Sequence, residues 1–285
     1  MLAAGFAAVI TAHGGAIRTN SEVSDILLDG GRVQGVRLSD GEVLSSTTVV
    51  SDADIIKTYT DLVGLDNLPR LFRRRVTGWK MSQPLINGFF GVEIDLADRP
   101  NSNYFSIPDW GGPAKSYEHM AAFGRNTLNG KGFDVGSEWA RDMAQRQPMF
   151  VQSSSRRDPD NHRAAPPGHA TIEVQTVTPS DPRLWGGFNG YDVAGGDYST
   201  DSGYLEVKKI VVDGMLDRME QAFPGSASKV KLSELGTPAT QTRFVNNTDG
   251  APFGLQVRLS QTADAPPGTP HPSPGLYTVG TSTAW

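Results

Sequence analysis

The chain has 285 residues, of which 38% are hydrophobic and 20% charged, with a net charge of −5. That composition is globular and large enough for one large domain or two ordinary ones, and it offers no overall basic field for nucleic acid. Cysteine is absent, which excludes disulfides, thiolate catalysis and cysteine-ligated metals, and no stretch approaches the roughly 20 apolar residues of a membrane-spanning helix.

Residues 1–12 are apolar, with no basic region before them and no small-residue cleavage site after them. They predict a helix stopped by Gly14 or Gly15 rather than a signal peptide, a helix that has lost whatever preceded it. Ala16–Thr19 is a short strand candidate. Val23–Leu28 and Arg32–Leu38 follow, turned by Asp29-Gly30-Gly31, and Asp40-Gly41 turns the chain into a further strand over Val43–Val50. Asp-Gly between alternating apolar runs is a strong hairpin signal, so residues 23–50 read as a β-meander. Asp52–Val63 then reads as a helix, with Ser51 or Asp52 as its N-cap.

From Leu65 to Lys80 the chain is basic, with Arg70, Arg73, Arg74, Arg75 and Lys80 interleaved with Leu68, Leu71, Phe72 and Trp79. Two readings fit: the solvated face of a surface helix, which is favoured, and peripheral membrane contact, since cations beside apolar side chains hold a helix at anionic lipid. Pro84–Leu96 reads as a long, largely buried strand, and Tyr104–Ile107, Met149–Ser153 and Ala170–Val177 as further strands. Residues 108–148 resist assignment. Ser153–Gly168 and Trp185–Gly196 read as loops. Leu205–Phe223 is an amphipathic helix with Ile210, Val211, Met215, Met219 and Phe223 on one face, stopped by Pro224-Gly225; Lys229–Leu235 and Leu276–Val279 are strands. His162 and His169 lack the helical spacing of a zinc pair, and no metal site is expected.

Three blocks carry a resemblance. HGGAIRTNSEVSDILLDGGRVQGVRLSDGEVLSSTTVVSDAD, from His13 to Asp54, runs helix end, Gly-Gly turn, short strand, Val-containing strand, Gly-x-Val hairpin and Val-Val-Ser strand end. GTPATQTRFVNNTDGAPFG, from Gly236 to Gly254, has a Thr-Pro turn, a short helix and a glycine-rich approach. GLYTVGTSTAW, from Gly275 to Trp285, has a strand, a glycine and small hydroxyl residues. In this order the blocks resemble the phytoene desaturase, carotenoid isomerase and retinol saturase-like family of FAD-dependent oxidoreductases.

The resemblance implies a mixed α/β fold. It would be part of a two-dinucleotide-binding-domain flavoprotein, divided as 1–64 (FAD-binding, part), 65–229 (β-rich substrate domain) and 230–285 (FAD-binding, part). It implies FAD as cofactor, with Val23 against the adenine edge and Gly280, Thr281 and Ser282 at the phosphate or ribityl side. Phe253 and Gly254 would lie near the substrate, an apolar polyene or isoprenoid chain. Glycine suits such contacts because backbone must approach a flavin closely, and hydroxyls supply donors. Catalytic acid–base residues remain unknown. The sequence departs from the family in lacking a strand followed by Gly-x-Gly-x-x-Gly; the nearest spacing, Gly130, Gly132 and Gly136, has its last glycine one position late. The chain is therefore expected to be an incomplete piece, inactive alone and prone to association, needing a complementing polypeptide. A cytoplasmic location, with or without membrane association, is expected. The alternatives are an amine-oxidase-like flavoprotein and a non-catalytic fragment or subunit.

Overall fold

The structure, a computed structural model, describes residues 2–108, 137–178, 185, 196–258, 261 and 273–283. Most of the stretch without an assignment, the Gly130–Gly136 spacing and most of the 185–196 loop lie outside them. The chain divides into two compact units, Met1–Lys80 with Val257–Trp285, and Met81–Gln256.

The first unit begins with α1, Leu2–Ala12, which carries no charge and buries none of its side chains. Ala16–Thr19, expected as a strand, is not one. A strand exists only where a neighbour takes up its backbone hydrogen bonds, and no described strand pairs with this segment. The meander is present as β1 (Val23–Asp29), β2 (Arg32–Leu38) and β3 (Val43–Ser45), antiparallel and in chain order. Gly30 and Gly31 both hold positive φ in the β1–β2 turn, the geometry that a two-residue hairpin demands.

The strand expected over Val43–Val50 is broken. Ser46 Oγ donates to Thr48 O (2.7 Å) and accepts from Thr48 N (3.1 Å), turning the chain out of the ladder. Beyond that turn β4 (Val49–Ser51) pairs in parallel with β10 (Leu276–Thr278). The strands of this unit thus form two sheets, β1-β2-β3 and β10-β4, tied by a bond from Val33 N to Pro274 O (3.1 Å). The following helix also starts later than expected. Its cap is Asp54, whose carboxylate accepts from Ile56 N and Lys57 N, rather than Ser51 or Asp52. The helix α2 (Ile55–Lys57) opens into a π-helical turn over Thr58–Leu62, closed by Val63 N donating to Thr58 O at 3.0 Å. α3 (Arg70–Gly78) turns Leu71 and Arg74 outward and buries Val76. Its Phe72 meets Tyr59 edge-on at 5.0 Å, so the basic segment 65–80 packs with the first unit rather than opening a new one.

The second unit is built on an antiparallel five-stranded sheet. Its strands are β5 (Leu85–Val92), β6 (Tyr104–Ser106), β7 (Met149–Gln152), β8 (Ala170–Val177) and β9 (Val230–Gly236), in the order β6-β7-β8-β5-β9. β9 bonds to β5 along most of its length, which places residues from 230 in this unit and not with the C-terminal strand. Alternation sends Ile86, Phe90 and Val92 of β5, and Ile172 and Val174 of β8, to one face. There they meet Val207, Val211, Met215 and Met219 from the 21-residue helix α6 (Ser202–Ala222) and Phe223 after it. Each such side chain contributes about 1.5–3 kcal/mol on burial.

Close packing sets two glycines. A Cβ on Gly88 would lie 2.7 Å from the Met215 sulfur, and one on Gly214 would collide with Ala144 of α4 (Ser137–Arg146). Arg218 is buried on α6 and donates to Ala144 O and Gln145 O (3.0 and 2.7 Å), closing the carboxyl end of α4. The loop expected at 153–168 holds one helical turn, α5 (Ser154–Arg157), capped by Ser153. A last helix, α7 (Pro238–Val245), follows β9.

Candidate functional site

Parallel strands collect ligands at their carboxyl ends, where loops leave the sheet. In the first unit β4 and β10 end together. Leu276, Tyr277 and Thr278 face Val49, Val50 and Ser51 in register, and Val279 N donates to Ser51 O at 2.9 Å. Gly280 is the first residue beyond this ladder. It holds φ +96°, and a side chain there would run into Oδ1 of Asp52, the first residue after β4. The turn closes on itself, with Thr283 donating to Gly280 O from both N (3.1 Å) and Oγ1 (2.8 Å). Thr281 lies exposed on this turn and Ser282 half-buried.

The two strand ends are held from below by consecutive hydroxyls of the π-turn. Thr58 Oγ1 and Ser51 Oγ are 2.8 Å apart and buried. Tyr59 is 3% exposed and makes a side-chain hydrogen bond with Thr278. Burial pushes the Tyr59 phenol up to about 12, against a smaller lowering by Thr278, so it stays a neutral hydroxyl at physiological pH.

Val23 is half-buried at the start of β1, opposite Leu38 on the meander. The Asp52–Gly280 contact brings together the strand end and the turn carrying Gly280, Thr281 and Ser282; Val23 stands on the other sheet of the same unit. Sequence reasoning missed Asp52 as the neighbour of Gly280, and Thr58 and Tyr59 as supports. The available signal was three successive hydroxyl side chains, Thr58-Tyr59-Thr60, inside a segment read as an ordinary helix.

Phe253 and Gly254 belong to the second unit. There Thr237 caps α7, accepting from Thr240 N at 3.3 Å, with Pro238 in the first turn and Tyr204 OH 2.9 Å from its Oγ1. Asn246 ends the helix in the left-handed region, and Gly250 at φ +66° lies where a Cβ would come 2.5 Å from Pro238 O. Gly254 O accepts from Ser82 N (2.8 Å), and Leu255 bridges to Met81. This fixed loop presents Phe253 54% exposed.

The face of the five-stranded sheet opposite α6 carries Phe89, Phe105, Phe150 and Leu232. Phe105 and Phe150 are 5.1 Å apart, and Phe89, Phe105 and Leu232 are exposed. Glu173, beside Phe89, is 7% exposed; burial raises its pKa, and Ser154 N donates to its carboxylate at 3.1 Å. A separate cleft of about 350 Å³ lies against the 155–170 loop and contains none of the residues assigned to cofactor or substrate from the sequence. His162 and His169 line it, both exposed. Among the described residues no three His, Asp or Glu side chains are grouped to hold a metal.

The fold is a mixed helix-and-sheet fold that resembles solved oxidoreductase structures. An oxidoreductase from Methanosarcina mazei aligns over 97% of this chain and 47% of its own, with TM-score 0.53 and 16% identity. A doubly substituted putrescine oxidase aligns over 94% and 44%, with TM-score 0.51 and 10% identity. In sequence the chain is similar to phytoene desaturases and prolycopene isomerases, as its motifs imply. It is 29% identical to a neurosporene-forming phytoene desaturase of Rhodobacter capsulatus over 290 aligned positions, 99% of this chain and 48% of that protein. It is 24% identical to a chloroplastic prolycopene isomerase of an Oncidium hybrid cultivar, over 92% and 38%. The chain thus spans about half the length, or less, of the curated relatives it matches. No family model matches it.

Proposed function

We propose that this chain is part of an FAD-dependent oxidoreductase that desaturates, isomerises or saturates an apolar polyene or isoprenoid-like substrate. The observation that carries the reading is the Gly280 turn at the shared carboxyl end of a parallel strand pair, in a chain whose relatives act in carotenoid chemistry by name. When bound, the flavin would supply the hydride chemistry. The chain's own part is to hold it and to exclude water.

Gly280 fits a close backbone approach, because its positive φ and the nearness of Asp52 leave no room for a side chain. The Asp52 carboxylate refines the assignment. An anion beside Gly280 repels phosphate and accepts hydrogen bonds from hydroxyls, so Gly280, Thr281 and Ser282 would face the ribityl chain rather than the pyrophosphate. Val23 would face the adenine. Phe253, Gly254 and the aromatic face around Phe89 would line the apolar substrate.

The chain by itself is expected to bind FAD weakly. Parallel sheets are normally covered on both faces, yet Val50, Tyr277 and Val279 leave one apolar face of the β4–β10 pair exposed, and α1 buries nothing. A complementing polypeptide carrying a Gly-x-Gly-x-x-Gly unit would cover such surfaces. No described helix is long and apolar enough to cross a membrane; contact with a membrane surface through α3, where Leu71 stands among arginines, would bring the enzyme to its substrate.

Visible absorbance after gel filtration tests the reading. The chain alone should lose flavin, and co-expression with the nucleotide-binding half of a phytoene desaturase should restore bound flavin bands. Flavin retained by the chain alone would remove the need for a partner. Flavin retained in neither case would remove the flavin assignment.

A further inference from the structure

The π-helical turn is assigned no ligand contact above, yet its first two residues touch both strands of the candidate cofactor site. A π-turn inside a helix places successive side chains where a regular helix would not, and such turns concentrate at functional sites. Here the wide turn, closed by Val63 N donating to Thr58 O, directs Thr58 to Ser51 and Tyr59 to Thr278, the last ladder residues of β4 and β10. Each strand then runs directly into a residue of the turn region: Ser51 into Asp52, and Thr278 through Val279 into Gly280. Tyr59 is fixed in turn by Phe72 and Trp79, with ring centroids 5.0 and 5.7 Å away.

We propose that Thr58 and Tyr59 are positioning residues that clamp the two parallel strand ends, and so fix the spacing of Asp52 and Gly280 that a flavin ribityl chain would meet. The inference rests on the flavin reading of the Gly280 turn. Neither residue touches the ligand. Tyr59 sets the end of β10 through one hydroxyl, and Thr58 sets the end of β4 through another. Both hydroxyls are buried, so each bond is protected from competing water.

The test compares Tyr59→Phe and Thr58→Val with Val76→Ala, which removes packing from the same unit without touching either hydroxyl. Amide hydrogen exchange is read at Val279 and Thr283, which donate to Ser51 O and Gly280 O. Loss of the Tyr59 hydroxyl should speed exchange there about fivefold, the equivalent of one net hydrogen bond, with the β1–β2 amides unchanged. Val76→Ala should lower the melting temperature without that local signature. Unchanged exchange at both amides in Tyr59→Phe would overturn the clamp, as would an equal change in Val76→Ala. FAD affinity, measured in whichever assembly of the wild type retains flavin, should weaken by a similar factor in Tyr59→Phe. If no wild-type assembly retains flavin, the flavin reading fails while exchange still decides the clamp.

Discussion

The two units solve the burial problem differently. In the second, one long helix and a five-stranded sheet close on each other, and the side chains at their contact, from Ile86 and Phe90 to Met215 and Met219, are almost wholly out of water. In the first, the buried set is smaller and scattered, including Ile26, Val33, Tyr59, Val76 and Leu276, while Leu2, Phe6, Val9, Ile17, Val50 and Tyr277 remain exposed. An antiparallel sheet with one covered face is a finished structure; a two-stranded parallel sheet with one covered face is not. Stability in this chain should therefore reside in the second unit, and sensitivity to partners in the first.

The largest effect that could break this contrast is Phe90→Ala. It should cost about 3–5 kcal/mol in urea unfolding, and a loss below 1 kcal/mol would show that the second unit is not the stable one. Next is Arg218→Met, which takes the donor from the carbonyls of half-buried Ala144 and exposed Gln145. A hydrogen bond from a charged donor is worth about 1.5–3 kcal/mol, and thermal unfolding with protease protection of 137–146 would report the loss.

In the first unit, Gly280→Ala forces a side chain into a left-handed conformation costing about 1–3 kcal/mol. It should also abolish flavin retention in any assembly that has it. Normal retention would move the cofactor contact elsewhere.

A smaller effect concerns Glu173. Its folded-state pKa is raised, chiefly by burial, so the native state holds its proton more tightly than the unfolded chain does. Stability from this group is complete below the ordinary value of 4.5 and is lost as pH rises through the higher folded value. Glu173→Gln should flatten that decline and leave neutral-pH stability equal or improved; a steeper decline would reverse the sign of the shift. Smallest of all is Arg18→Ala. Its bonds to Glu42, at 2.9 and 2.7 Å, are surface-exposed, so melting curves in 1 M salt, on the order of a 3 Å screening length, should match wild type.

Elements whose reasons are local were legible in the sequence. The Gly30-Gly31 hairpin, the apolar strand expected over Pro84–Leu96 and found over Leu85–Val92, and the long amphipathic helix around Met215 needed only their own residues and neighbours a few positions away. Elements decided by distant partners were not. Nothing in Val43–Val50 announces that its first half pairs backward with β2 and its second half in parallel with residues more than two hundred positions later. Ala16–Thr19 has strand composition and lacks only a neighbour. The glycine and hydroxyls of 280–282 could be named from their motif, but Asp52 beside Gly280 required the parallel pairing. Thr58 and Tyr59 required a π-turn, which leaves no periodic trace of its own.

That turn also sets how the gene can vary. A regular helix advances 3.6 residues per revolution, whereas the π-turn spends one residue more on about the same revolution, so deleting one residue between Tyr59 and Leu62 would let the ordinary bonding pattern resume and leave the two flanks in phase. Val63 and Leu68 would keep their buried side, and what would be lost is the wide turn that directs Thr58 and Tyr59 to the two strands. Point substitutions in this segment can be graded and tolerated. A single-codon deletion there should spare the fold and remove the clamp, so the spacing from Asp54 to Val63 is a length tied to the strand ends and not to the helix itself.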